Sequence, residues 1–242
     1  MIIVKTGRAV PEARADGRDF EHWFADGLGR KAFDWQVVRV DRGETLPPAG
    51  SLDPDTAVVI TGSPAMVSHR EDWSERAAEW LTRVHDAGHA MLGVCYGHQL
   101  LAHALGGRVG PNPNGRRMGR APVSVADRSD ALLGKLGPTL SVHVSHVESV
   151  LEPPDCARVI ATAPHDPFHA LYFGGRTWGV QFHPEFDARI TRDYLSARAD
   201  VLSDEGFDVA ALIAELDANH DGPAVLARFA ERVREAAGAR AA

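Results

Sequence analysis

The apolar positions of this chain fall into short unbroken runs that alternate with stretches of helical spacing. Ile2–Val4 is a β-branched run at the very start, and a short continuous apolar run of this kind predicts a buried strand. Phe20, Trp23, Phe24 and Leu28 recur at helical spacing and Gly29 closes them, which predicts a helix over 20–28. WQVVRV (35–40) and TAVVITG (56–62) read as two more strands. In DWSERAAEWLTRVHDAG (72–88), Trp73, Ala77, Trp80, Leu81 and Val84 share one face and Gly88 is the stop, the pattern of an amphipathic helix. HAMLGVC (89–95) then predicts a strand, and YGHQLLAHALGG (96–107) a helix ended by a glycine pair.

Apolar runs without polar alternation belong to strands covered on both faces, so the first half implies a largely parallel α/β sheet. From 121 the rhythm changes to short strands in APVSVA, TLSVHVSHVESV, VIATAP, FHALYFGG and TWGVQFH, joined by the Gly, Pro and Asp that turns require. Beyond Pro184 the pattern is helical again, through Arg189–Val201, Val209–Leu216 and Pro223–Ala237. The expected organisation is an α/β domain over 1–195 followed by a C-terminal helical extension over 196–242.

Charge and composition narrow the function classes. With 33 acidic against 26 basic residues the net charge is −7, which gives no support to nucleic-acid binding. No stretch approaches the roughly 20 apolar residues of a membrane span. Two cysteines, Cys95 and Cys156, speak against a disulfide framework and for a reducing compartment, so a cytoplasmic protein is expected.

The first of those cysteines sits in Gly93-Val94-Cys95-Tyr96-Gly97, the G-x-nucleophile-x-G form of a strand-to-helix elbow. A residue on so sharp a turn is strained, and side chains two residues before and after it would collide unless they are glycines. The following helix points its N-terminus at the sulfur, which favours thiolate. The Tyr96 amide is then placed to donate to a developing oxyanion. A base is available in WGVQFHPEF (178–186), where His183 and Glu185 flank Pro184. On an extended chain their side chains point the same way, so Glu185 can hold one ring nitrogen of His183 while the other faces Cys95. VVITGSPAMV (58–67) is an apolar strand breaking into Gly62-Ser63-Pro64, and such a turn offers a second oxyanion amide, from Gly62 or Ser63.

The three segments, in this order and at these distances, resemble the class I, or triad, glutamine amidotransferases, and most nearly the glutaminase domain of GMP synthases. The family marks are a G-x-C-x-G-x-Q elbow, an earlier Gly-Gly-Pro-like turn and a late His-Pro-Glu, present here as Gly93–Gln99, Gly62–Pro64 and His183–Glu185. The resemblance implies a flavodoxin-like three-layer sandwich with a mostly parallel central sheet and the nucleophile at its centre. It implies attack of Cys95 on the side-chain amide of glutamine or another γ-glutamyl compound, through a γ-glutamyl thioester. By the same resemblance, Gln99 and the Ser145-His146 backbone contact the substrate's amino-acid end. No cofactor is implied. A separate synthetase that consumes the ammonia is an expected partner, and self-association is left open. The chain departs from the family at Ser63, where a glycine is usual, and at Arg117 ahead of Gly119, where a glutamate is frequent.

Alternatives stay open at this stage. A γ-glutamyl peptide hydrolase with no acceptor fits the same residues. A DJ-1-like protein also mounts a cysteine on an elbow, but typically with a histidine directly after it, where this chain has Tyr96. A non-catalytic regulatory module is disfavoured by the retention of Cys95, His183 and Glu185. No metal site is expected, although the chain holds 12 histidines. His85 and His89 are separated by Gly88, His165 and His169 flank Pro167, and a spacing of three puts His143 and His146 on opposite faces of a strand. Asp217, Asn219, Asp221 and Gly222 mimic the start of a calcium loop, but Arg228 stands where its closing glutamate is required.

Overall fold

A computed structural model describes residues 1–217 and 220–241, so Asn219 of the acidic turn lies outside the described residues. The chain builds its sheet in two stages. Strands β1 (Ile2–Lys5), β2 (Gln36–Arg39), β3 (Ala57–Ile60) and β4 (Ala90–Val94) come first, with helices α1 (Phe20–Leu28) and α2 (Asp72–Asp86) between them. Helix α3 (Tyr96–Ala104) follows β4 directly. Strands β5 (Arg108–Pro111), β6 (Arg117–Val125), β7 (Thr139–His146), β8 (Glu148–Glu152), β9 (Arg158–Ala163), β10 (Asp166–Tyr172) and β11 (Thr177–Val180) then run nearly without interruption. Helices α4 (Ala188–Ala197), α5 (Ala199–Asp204), α6 (Val209–Ala214) and α7 (Gly222–Ala241) end the chain.

Nine strands form one sheet in the order β2-β1-β3-β4-β11-β10-β9-β6-β7. The pairs β1–β2, β1–β3, β3–β4 and β4–β11 are parallel, whereas β10, β9, β6 and β7 continue the sheet antiparallel. The period of two along each strand divides the core into layers. Ile3, Val59 and Leu92 face α1 and α7, while Ile2, Val4, Val58, Ile60 and Met91 face α2 and α3. Helix, sheet and helix therefore stack as the flavodoxin-like sandwich that the family resemblance implies, around the largely parallel sheet expected from the unbroken apolar runs.

TLSVHVSHVESV, expected as one strand, breaks at Val147 into β7, which pairs with β6, and β8, which pairs with β5 in a second small sheet. Strand β5 was not legible because a four-residue segment holding Gly110 and Pro111 has little intrinsic strand preference. The predicted helix 189–201 is likewise two helices, α4 and α5, separated at Arg198, whose φ of −120° lies outside the helical range.

The C-terminal helices share the core of the sheet. Val225, Leu226, Phe229 and Ala230 of α7 are buried in the same cluster as Phe20 and Trp178, and Phe229 meets Trp178 edge-on at 6.4 Å. Helix α7 is anchored where Asp221 exchanges backbone and side-chain hydrogen bonds with Ser141 of β7. Phe229→Ala should therefore cost about 3–5 kcal/mol from lost transfer energy and a residual cavity. Thermal unfolding should show this as a drop of about 6–20 °C.

Candidate active site

The turns that leave the neighbouring strands β3, β4 and β11 carry Gly62 and Ser63, Cys95, and His183 and Glu185, while Gln99 comes from α3 and Ser145 and His146 from the end of β7. Cys95 joins β4 to α3 with φ 52° and ψ −103°. Among the described residues it shares a positive φ with just one other non-glycine residue, Arg70. The flanking glycines are required by close approach. A Cβ on Gly93 would stand 2.4 Å from the Gly97 carbonyl oxygen, and one on Gly97 would stand 2.4 Å from that of Ile60 in β3. Both obstacles are backbone, so nothing can swing aside. Gly97→Ala should displace the elbow from β3 and reduce turnover by about 100-fold, read as kcat on a γ-glutamyl substrate with circular dichroism confirming the fold.

His183 follows β11 and is buried, 3% exposed at the wall of a cleft. Its ring stacks against Phe186 at 4.0 Å and Phe20 at 6.3 Å between centroids, and its Nδ1 donates to Glu185 Oε1 at 2.8 Å. The pair does meet, but on a turn closed by the Phe186 amide donating to the His183 carbonyl rather than on an extended strand. Burial disfavours the imidazolium, yet the Glu185 carboxylate and then the Cys95 sulfur outweigh it and push the His183 pKa up to about 10. Gly62 packs directly against this ring, since a Cβ there would lie 2.8 Å from His183 Cε1.

The turn carrying Gly62 and Ser63 is fastened to β1. The Thr6 hydroxyl donates to the Gly62 carbonyl at 3.0 Å, the Thr6 amide donates to Thr61 Oγ1 at 3.1 Å, and Ser63 Oγ donates to the Thr6 carbonyl at 2.6 Å. Ser63 is not among the positive-φ residues, which is why serine is accommodated where a glycine is usual. Sequence reasoning missed Thr6 and Thr61 because their partners are more than fifty residues apart. The Tyr96 hydroxyl turns away to pair with Ser74 Oγ at 2.6 Å, so Tyr96 offers the thiol its backbone.

Two clefts open on either side of Cys95. One, of about 280 Å³, is lined by Met66, Gln99, Arg116, Ser145, His146 and Glu148. The other, of about 270 Å³, is lined by Arg8, Val10, Phe20, His183 and Tyr194. Arg198 borders both, with its guanidinium 5.6 Å from the Tyr194 ring. The Ser145 carbonyl lies 3.7 Å from the Cys95 sulfur. Gln99 spends its amide internally, donating to the Glu148 carbonyl at 2.7 Å and to Gln181 Oε1 at 3.0 Å. Arg116, held by Glu205 at 2.8 Å, reaches the cleft wall, whereas its neighbour Arg117 does not. Glu148, Arg116 and Arg198 carry no local motif and could not be picked from the sequence.

The expectation that the histidines form no trio needs correction. His143 and His146 do face opposite ways, the former meeting the His220 ring at a tilt, with centroids 4.6 Å apart. His146, however, meets His165 from the turn between β9 and β10 and His169 from β10, with one nitrogen of each within 4.8 Å of the others. That meeting depends on the pairing of β10 with β9, which residue spacing does not reveal. His98 is a buried packing residue whose Nε2 bonds the Phe168 carbonyl at 3.1 Å, and burial pushes its pKa down to about 4. Cys156 is exposed and free. No described helix is long and apolar enough to cross a membrane.

The chain is 41% identical over 143 residues to a glutamine-hydrolyzing GMP synthase of Aeropyrum pernix, a match over 59% of this chain and 25% of that protein's length. It is 27% identical over 172 residues to gamma-glutamyl peptidase 3 of Arabidopsis thaliana, covering 69% of each. A solved glutamine amidotransferase from Thermotoga maritima shares the fold with a TM-score of 0.75 at 20% identity, over 97% of this chain and 98% of that one. The model of the family glutamine amidotransferase class-I matches residues 16–199. That span takes in the Gly62 turn, the Cys95 elbow and the His183–Glu185 pair, and the chain belongs to the class I glutamine amidotransferases.

Proposed function

We propose that the protein hydrolyses the γ-amide of glutamine, or of a related γ-glutamyl amide, through a thioester on Cys95, with His183 and Glu185 completing the triad. The observation that carries this is a strained, cleft-facing thiol beside a buried histidine that a carboxylate holds in its charged form. The sulfur attacks the amide carbon, and the developing oxyanion takes hydrogen bonds from the Tyr96 amide and from the Gly62–Ser63 turn. His183 gives its proton to the leaving nitrogen, the C–N bond breaks and ammonia departs. Water then attacks the thioester, His183 takes its proton, and the C–S bond breaks to release glutamate and regenerate the thiolate.

The amino-acid end of the substrate belongs in the Gln99 cleft. There Glu148 suits an α-ammonium, and Arg116 with Arg198 suit an α-carboxylate. Gln99 and His146 keep the Glu148 backbone in place, and Ser145 forms the shared wall. Residues 1–195 supply these groups except Arg198, and we assign 196–242 as an extension docked on them that contributes Arg198 to the cleft. Ammonia released here would serve an acceptor on a separate synthetase.

A second reading has its own observation. The cleft on the His183 side is open, and Arg8 and Tyr194 line it, which fits a leaving amine larger than ammonia and bearing a carboxylate. The experiment is release of glutamate from glutamine and from a γ-glutamyl dipeptide panel, with labelling of Cys95 by a glutamine-like electrophile alongside. Turnover of glutamine supports the first reading, and preference for dipeptides supports the second. A Cys95 that neither turns over nor labels overturns both.

A further inference from the structure

We propose that His146, His165 and His169 form a metal site that holds a zinc ion behind the substrate cleft. The Nε2 atoms of all three rings are buried and without a hydrogen-bond partner. Leaving three such atoms bare in the interior is costly, because each has lost water without replacing it. A shared cation supplies the missing interaction to all of them at once.

The opposite edges of the rings are oriented as a zinc site requires. His146 Nδ1 donates to the Glu148 carbonyl at 3.1 Å, and His169 Nδ1 donates to the Asp166 carboxylate at 3.2 Å. A proton fixed on Nδ1 leaves the Nε2 lone pair free for a metal, and a carbonyl or carboxylate in that position is the usual second support of a ligating histidine. The backbone of the third residue is held, since Asn112 and Asn114 both donate to the His165 carbonyl, at 3.2 and 3.0 Å.

Three neutral imidazoles match a borderline ion such as Zn²⁺ rather than calcium or magnesium. Bonds of about 2.0–2.1 Å place the nitrogens of a tetrahedral site about 3.3 Å apart, so rings whose nitrogens lie within 4.8 Å close by small rotations. Water takes the fourth position. Arg117 stands near His165 and opposes a cation, while Asp166 beside His169 offsets it. The site would tie β7 to the β9–β10 turn. It would also hold the Glu148 carbonyl, which Gln99 shares from the cleft side.

The test uses untagged full-length protein carrying Cys95→Ala and Cys156→Ser, so that no thiol competes, stripped with chelator and titrated with Co²⁺. One equivalent should develop the visible bands of four-coordinate cobalt, displaced by Zn²⁺. His165→Ala, a change at a half-buried turn, should abolish them, and Asp166→Asn should weaken binding by about 10–100-fold. Absence of the bands in the parent protein overturns the proposal, and so does their persistence at unchanged affinity in His165→Ala. Circular dichroism of each variant shows that lost binding is not lost fold.

Discussion

Cys95→Ala should lower glutamate release from the preferred γ-glutamyl substrate by at least about 10⁴-fold, because removing a nucleophile leaves only the binding and oxyanion contributions. The folded state should survive, since the substitution deletes one sulfur from a position facing a cleft. The strain at this residue separates the chemical effect from the structural one. Its φ of 52° and ψ of −103° are disfavoured for any side chain by about 1–3 kcal/mol, and alanine inherits that cost. Cys95→Gly relieves it, offset by about 0.5–1 kcal/mol for glycine's extra freedom in the unfolded chain. Chemical denaturation should therefore find the glycine variant more stable than the alanine variant by about 1 kcal/mol, with both inactive. Equal stabilities would mean that the elbow stores no strain. An active alanine variant would remove Cys95 from the chemistry.

The parts of the site that could be read from the sequence are those the chain encodes locally. The elbow is legible because its glycines answer to a collision within five residues, and the structure measures that collision as 2.4 Å between a Gly93 Cβ and the Gly97 oxygen. The strands β1, β3 and β4 are legible because burial on both faces demands unbroken apolar runs. Reasoning about His183 and Glu185 gave the right partners for a different cause, as a turn and not a strand brings them together. What stayed hidden depends on sheet order. Thr6 and Thr61 lock the Gly62–Ser63 turn across β1 and β3. Glu148 reaches the cleft because β7 gives way to β8 at Val147. His165 and His169 reach His146 because β10 folds back on β9. Each depends on register between distant segments, which periodicity along one segment does not encode.

Glu185→Gln should reduce turnover by about 10²–10⁴-fold while keeping the triad's shape. Glutamine is isosteric with glutamate, so ring orientation persists while the charge that favours the imidazolium is lost. That charge is the largest influence raising the His183 pKa, working against burial. Without it, burial draws the ring back toward the neutral form, and the leaving nitrogen loses its proton donor. Stability should record the same change with a definite sign. A histidine whose pKa is raised on folding stabilises the native state fully below its unfolded value of about 6.5. That contribution disappears as pH rises through the folded value of about 10. Unfolding free energy of the parent protein should therefore decline across this window, and in Glu185→Gln the decline should be flatter. If the two profiles run parallel while turnover still falls, Glu185 acts by positioning His183, and its charge is not what keeps the imidazolium protonated.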